Sequence, residues 1–191
     1  MAVGSSYSSS TPELAPFVPR LFTVEEYHRL GELGVLTEDD RVELLEGVIT
    51  PKMVHNPPHD GTLLLVETAL RRRLPSEGWV IRIQSSLTTS DSEPEPDVVI
   101  ARGGARDYLR RHPHAEDAGL VVEIADSSLH RDRVKARLYA RAGAPVFWIV
   151  NLVDAQIEVH WQPTGPSAQP AYKQKVIYRG GDRVPFALLG M

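Results

Sequence analysis

The spacing of apolar residues changes along this chain, and each change of period predicts an element. Between Gly61 and Leu74, residues Leu63, Val66, Leu70 and Leu74 recur at helical spacing, the apolar stripe of an amphipathic helix. Arg71, Arg72 and Arg73 follow at the end where a helix is partially negative. Thr23 with Glu26 three residues later has the spacing of a capping box, which predicts a short helix ending near Gly34. "RVELLEGVI", Arg41 to Ile49, alternates imperfectly and carries β-branched residues, so it reads as one strand. "HNPPHDG" reads as a loop from its prolines and glycine. Trp79 to Ile83 and Asp97 to Ala101 are short strands, and "GLVVEIA", Gly119 to Ala125, is apolar on both faces apart from Glu123. A helix over Arg131 to Ala142 and the buried strand "PVFWIV" follow. Strand, helix and strand in that order make a right-handed crossover with its two strands parallel. "QIEVHW" and "YKQKVIY" alternate as half-exposed strands at the sheet edge, with Pro163 to Pro170 as the loop between them. The class is α/β, with a mixed sheet flanked by helices.

At 191 residues the chain is most simply one domain, spanning 21–191, behind a Ser- and Pro-rich flexible arm over 1–20. No apolar run approaches the roughly 18 residues of a membrane-spanning helix. The N-terminal segment lacks the basic start and apolar block of a signal peptide. With no cysteine there is neither a disulfide nor a thiolate site, which suits a reducing, cytoplasmic setting. The net charge of -4 gives no whole-molecule attraction to a polyanion. Any nucleic-acid contact has to be local. Arg102, Arg106, Arg110 and Arg111, then Arg131, Arg133, Arg137 and Arg141, supply a local answer, and Asp107, Asp117 and Asp132 among them supply the alternative of a solvated face.

Two carboxylates stand where the pattern demands burial. In "SEPEPDVVI", Asp97 sits where the chain becomes Val98-Val99-Ile100, and in "LVVEIAD" Glu123 is the one charge in a strand buried on both faces. An unpaired buried carboxylate costs several kcal/mol, so each requires a cation, a metal or a proton. Taken singly, Glu123 is answered by a structural ion pair with an arginine, and Asp97 by a Pro-Asp turn. Together, on strands able to pair side by side, they offer oxygens to a hard divalent cation such as Mg²⁺. Arg131, Lys135, Leu138, Tyr139 and Ala142 share one helical stripe, which turns Lys135 toward the sheet; the alternative is a solvated Lys135 paired with Asp132. Glu43 alternates with Val42 and Leu44 and can face either way. His55 and His59 are four apart, as in a helical zinc motif, but "HNPPH" is not a helix interior.

"RVELLEG" followed by "M…PPH", then "PEPDVVI", "LVVEIADSS", "DRVKARLYARAG" and "PVFWIVN", resembles the Uma family of putative restriction endonucleases, a branch of the PD-(D/E)xK nuclease superfamily. The resemblance runs from about Phe22 to Trp161. It implies a restriction-endonuclease-like core and a metal-dependent endonuclease that hydrolyses phosphodiester bonds in DNA, with Mg²⁺ as cofactor and Mn²⁺ as substitute. It implies Asp97 and Glu123 as metal ligands and catalytic acids, Glu43 as the acid from the N-terminal part of the core, and Lys135 as catalytic cation. His59 falls at the family's histidine after Met53 and Pro57-Pro58. The superfamily lysine belongs two residues after Glu123, where this chain has Ala125; Lys135, from the following helix, is the family's substitute. His59, Gln84, Tyr139 and Arg131 are candidates for substrate contact. The departure at Ala125 keeps a second expectation open, a catalytically inactive binding module of nuclease fold. Pairing into a homodimer, as many superfamily nucleases do, would draw on "VIYRG" or "VPFALLG".

Overall fold

The computed structural model of the protein describes residues 18–186, so most of the expected arm, and the end of "VPFALLG", lie outside the described residues. Helix α1, Val24–Glu32, opens on the capping box read from the sequence: Thr23 Oγ1 accepts from the Glu26 amide at 3.1 Å, and Glu26 Oε2 from the Thr23 amide at 3.0 Å. The segment read as one strand is a hairpin, β1, Val42–Leu45, and β2, Val48–Pro51, paired antiparallel with Leu45 opposite Val48. The two residues between them, Glu46 and Gly47, have φ of 50° and 76°. A two-residue turn with both φ positive matches the right-handed strand twist, and it usually announces itself as Asn-Gly or Asp-Gly.

Helix α2, Pro57–Arg71, corrects the loop expected over "HNPPHDG". Asn56 caps it, its side-chain oxygen accepting from the His59 amide at 3.1 Å, and Pro57 and Pro58 occupy first-turn positions that require no amide donor. The prolines start a helix here.

Strands β3, Trp79–Ile83, β4, Val98–Arg102, β5, Ala118–Ala125, β6, Val146–Asn151, β7, Gln156–Pro163, and β8, Tyr172–Arg179, form one sheet in chain order. Only β5 and β6 run parallel, joined by helix α3, Leu129–Arg141, as the crossover expectation requires. The remaining neighbours are antiparallel, so the sheet is mixed. Strand β7 lies inside the sheet and only β8, which carries most of "VIYRG", forms that edge.

Every residue of β5 is buried, because each sheet face is covered by a helix. On one face Leu63 and Leu70 of α2 pack on Val98, Ile100, Val122 and Ile124. On the other, Leu138 and Tyr139 of α3 pack on Val99, Val121, Ala125, Phe147 and Ile149. Side chains alternate along a strand, so Asp97 and Glu123 share the α3 face with Val99 and Val121. Among the described residues no helix is long and apolar enough to cross a membrane.

Candidate active site

Continuing the β4–β5 register one step beyond Val98 and Val122 brings Asp97 opposite Glu123. Asp97 Oδ2 accepts from the Ile124 amide at 2.8 Å and lies 3.2 Å from His59 Nε2, while Oδ1 has Gln84 Nε2 at 3.4 Å. Burial alone raises a carboxyl, but the His59 and Ile124 hydrogen bonds outweigh it and hold Asp97 below the usual carboxylate range. The same contact with Asp97, working against burial, raises His59.

Glu123 has other partners. Its Oε1 accepts from Lys135 Nζ at 3.1 Å and from the Tyr139 hydroxyl at 2.8 Å, both descending from α3. Lys135 Nζ is also 3.3 Å from Glu43 Oε2, so one buried ammonium bridges two carboxylates. Burial pushes Glu123 up to about 8 although Lys135 pulls it down. Burial disfavours the ammonium too, but the charges of Glu123 and Glu43 overcome it and hold Lys135 above the ordinary lysine range. Tyr139, fully buried beside Glu123, is raised well above its ordinary value by burial and then by that charge.

Glu43 is buried, where a half-exposed strand would have let it face water. Arg131 donates to its Oε1 at 2.7 Å, and its Oε2 also accepts from the Glu95 amide at 3.2 Å. The hairpin that delivers Glu43 is clamped to α3 by Arg131 to the Pro51 carbonyl and by Arg137 and Arg141 to Glu46. These pairs answer the charge question: Arg131, Arg133, Arg137 and Arg141 all engage acids of the same chain, Arg133 through Glu158 at 2.5 Å. The arginines of α3 thus serve as internal clamps.

All eight candidate positions except Tyr139 line one cavity of about 540 Å³, and Tyr139 reaches it through its bond to Glu123. Gln84 gets there by an unusual backbone, φ 45°, a left-handed conformation that a long side chain rarely takes. That turn at the end of β3 aims its amide at Asp97 and, at 3.0 Å, at His55 Nδ1. The sequence reading missed Asp132. It is buried, with Ser128 Oγ donating to it at 2.5 Å, and burial raises it to about 6. Its i, i+3 relation to Lys135 resembled an exposed pair, and only the stripe Arg131–Lys135–Leu138 pointed inward. Also missed was the stacking of His55 on His59, ring centroids 4.0 Å apart, because the turn that brings them together had been read as a loop. Among the described residues, the one group of three or more potential metal donors within 4.8 Å of one another is His55, His59 and Asp60.

The arrangement is a sheet-end cavity floored by carboxylates, with one buried lysine and one buried histidine among them. Comparison with curated proteins gives no match. A crystal structure of a "putative nuclease belonging to DUF820" from Anabaena variabilis ATCC 29413 superposes with a TM-score of 0.65, at 15% identity, over 87% of this chain and 89% of that one. At that identity the likeness speaks for the fold, and the mixed sheet between helices is a restriction-endonuclease-like core. Residues 24–190, nearly the whole chain, match the family described as "Putative restriction endonuclease", and the protein belongs to that family, Uma2.

Proposed function

We propose that the protein is a metal-dependent endonuclease hydrolysing phosphodiester bonds in DNA, with Asp97, Glu123 and Glu43 holding Mg²⁺, for which Mn²⁺ substitutes. The observation that carries this reading is the lysine bridge: Lys135 lies between Glu123 and Glu43 in the cavity that also holds Asp97. All three are carboxylates, the donor type a hard cation takes. With Lys135 between Glu123 and Glu43 their oxygens are not all within 4.8 Å of one another, so the cation would have to draw them together. The bonds from Lys135 and Tyr139 fall on Glu123 Oε1, and the strong bonds to Asp97 fall on Oδ2. Glu123 Oε2 and Asp97 Oδ1 are thus the oxygens with least competition. Held by these acids, a divalent cation would supply Lewis-acid polarisation of a phosphoryl oxygen and acidify a bound water.

The chain's own groups do the rest. Lys135, kept protonated by its two carboxylates, places a fixed positive charge where negative charge develops on phosphorus and orients the attacking water. Tyr139 holds Glu123 in place by donating to Oε1. Gln84 and His59 fix the Asp97 carboxylate, and each presents a polar group to the cavity. Arg131 keeps Glu43 turned inward and stands at the opening, where a phosphate would enter.

Plasmid nicking tests the proposal. Cleavage is expected with Mg²⁺ or Mn²⁺, is abolished by chelator, and falls at least about a hundredfold in Glu123→Gln and in Lys135→Ala. Cleavage that persists in chelator overturns the metal-dependent reading. Ala125, buried where the superfamily lysine would stand, favours one alternative, a nuclease-fold module that binds without turnover. DNA retention without cleavage under any of these metals would establish it.

A further inference from the structure

At the rim of the cavity, His55, His59 and Asp60 make a second polar group with chemistry unlike that of the carboxylates. The two imidazoles stack with planes 18° apart. His59 Nδ1 is 3.4 Å and His55 Nδ1 3.8 Å from the same oxygen, Asp60 Oδ1. Their hydrogen bonds constrain where the ring protons are. His59 Nε2 faces Asp97 Oδ2 at 3.2 Å, and an ionised carboxylate only accepts, so Nε2 carries a hydrogen; Nδ1 is then the lone pair of the neutral ring, or a second N–H toward Asp60 Oδ1 in the protonated ring. His55 Nδ1 lies 3.0 Å from the amide nitrogen of Gln84, which only donates, so this Nδ1 is a lone pair. With both rings neutral, two imidazole lone pairs thus stand near one carboxylate oxygen, that of His55 engaged by the Gln84 amide. A proton on His59 Nδ1, held by Asp60 Oδ1 at 3.4 Å, occupies the same position a metal would take.

We propose that His55, His59 and Asp60 bind one divalent transition-metal ion of the zinc or cobalt class, separate from the oxygen-ligated cation of the proposed hydrolytic site. Imidazole nitrogens select such ions over Mg²⁺. Separations of 3.4 and 3.8 Å between donors are close to the roughly 3.3 Å edge of a tetrahedron with metal–donor bonds of about 2.0–2.1 Å. Exposed His55 has to turn out of its stack on His59 and release Gln84, because rings 18° from parallel cannot both aim in-plane lone pairs at one ion. Asp97 then takes the place of the carboxylate behind a metal-bound histidine, which fixes the ring and its tautomer. The positive end of α2 opposes a cation here, but it amounts to about half a charge and Asp60 in the first turn brings a full one. The imidazole of His59 lies between this site and Asp97, so the two ions cannot form the pair about 3.5–4 Å apart that two-metal hydrolases use. The site goes beyond the nuclease reading and stands or falls without it.

The test is titration of the metal-stripped full chain with Co²⁺, followed by visible d–d absorption, and with Zn²⁺ against a chromophoric chelator. Both are done in excess Mg²⁺, and NMR follows the histidine ring nitrogens. One Co²⁺ or Zn²⁺ per chain is expected, retained in Glu123→Gln, with the His55 and His59 Nδ1 signals moving on Zn²⁺ addition. Affinity should fall at least about tenfold in His55→Ala and in Asp60→Asn. These two side chains are 34% and 63% exposed, so neither substitution opens the core. Equal affinity in parent and both variants, no binding in excess Mg²⁺, or unmoved Nδ1 signals would each overturn the proposal.

Discussion

Replacing Lys135 with Met keeps the aliphatic stem and removes the ammonium that two carboxylates depend on. Lys135, Glu123 and Glu43 are each less than a tenth exposed, with contacts of 3.1 and 3.3 Å. Removing one partner of a buried ion pair typically costs about 3–5 kcal/mol, since the other charge is stranded. Glu43 keeps Arg131 at 2.7 Å, and Glu123 has the option of taking a proton. The lower end, about 3 kcal/mol, is therefore expected near neutral pH. The pH dependence follows from Glu123, already raised to about 8 by burial, with Lys135 the strongest influence holding it down. A carboxyl whose folded pKa exceeds its unfolded value of 4.5 binds more protons when folded. Its contribution is complete below 4.5 and is lost as pH rises through about 8. Lys135→Met pushes Glu123 higher still, so the variant should approach the parent at the acid end and fall furthest behind above about 8. Urea melts in chelator across that window measure the difference, and saturating Mn²⁺ should recover part of it if the acids bind a cation. A loss under about 1 kcal/mol, flat with pH, would refute the reasoning, because it would mean that Lys135 compensates neither carboxylate.

Two further predictions probe the scaffold that sets the site. Arg133, Lys175 and Asn151 overcome the burial of Glu158 and hold it down to about 2, so its contribution is present above 4.5 and lost as pH falls through about 2. Glu158→Gln should then cost about 2 kcal/mol at neutral pH, discounted because Arg133 and Lys175 are nearly half exposed. The deficit should shrink toward zero in acid urea melts, and one unchanged with pH would count against the clamp. Gly47→Ala places a methyl 2.6 Å from Leu21 Cβ in a residue with φ of 76°. It should cost about 1–3 kcal/mol, read as a lower urea midpoint with unchanged slope; an unshifted midpoint would show that the turn relaxes.

What the sequence revealed depended on whether a residue's partners were local. The Thr23–Glu26 cap and the β5–α3–β6 crossover rest on spacing within a few turns, and both formed as read. Glu123 stood out because seven apolar neighbours cannot bury a lone charge without a partner. The hairpin escaped notice because Glu46 adopts a positive φ that its side chain does not advertise. "HNPPH" was misjudged because proline was weighed as a helix breaker when Asn56 before it makes it a starter. The arginines of α3 could not be assigned at all from the sequence. Their partners, Glu43, Glu46 and Glu158, come from two strands and a hairpin turn 25 to 95 positions away.

Those distant pairs also explain how an acidic protein holds so many carboxylates in one cavity. Lys135 comes from α3 on one face of the sheet and His59 from α2 on the other, and each donates a hydrogen bond to an acid at the same sheet end. An E-x-K lysine would rise from β5 itself, its position fixed by strand geometry. Here that place is Ala125, packed beneath Leu138 and Tyr139, so the cation hangs from a helix. Its placement then depends on how α3 is seated over the sheet. Arg133 fixes that seating through Glu158, and Arg137 and Arg141 fix it through Glu46 at the hairpin turn. The same hairpin carries Glu43 to the far side of Lys135. Helix and hairpin are thus positioned against each other by the residues that a charge count alone would have assigned to DNA, and the geometry around Lys135 follows from those clamps.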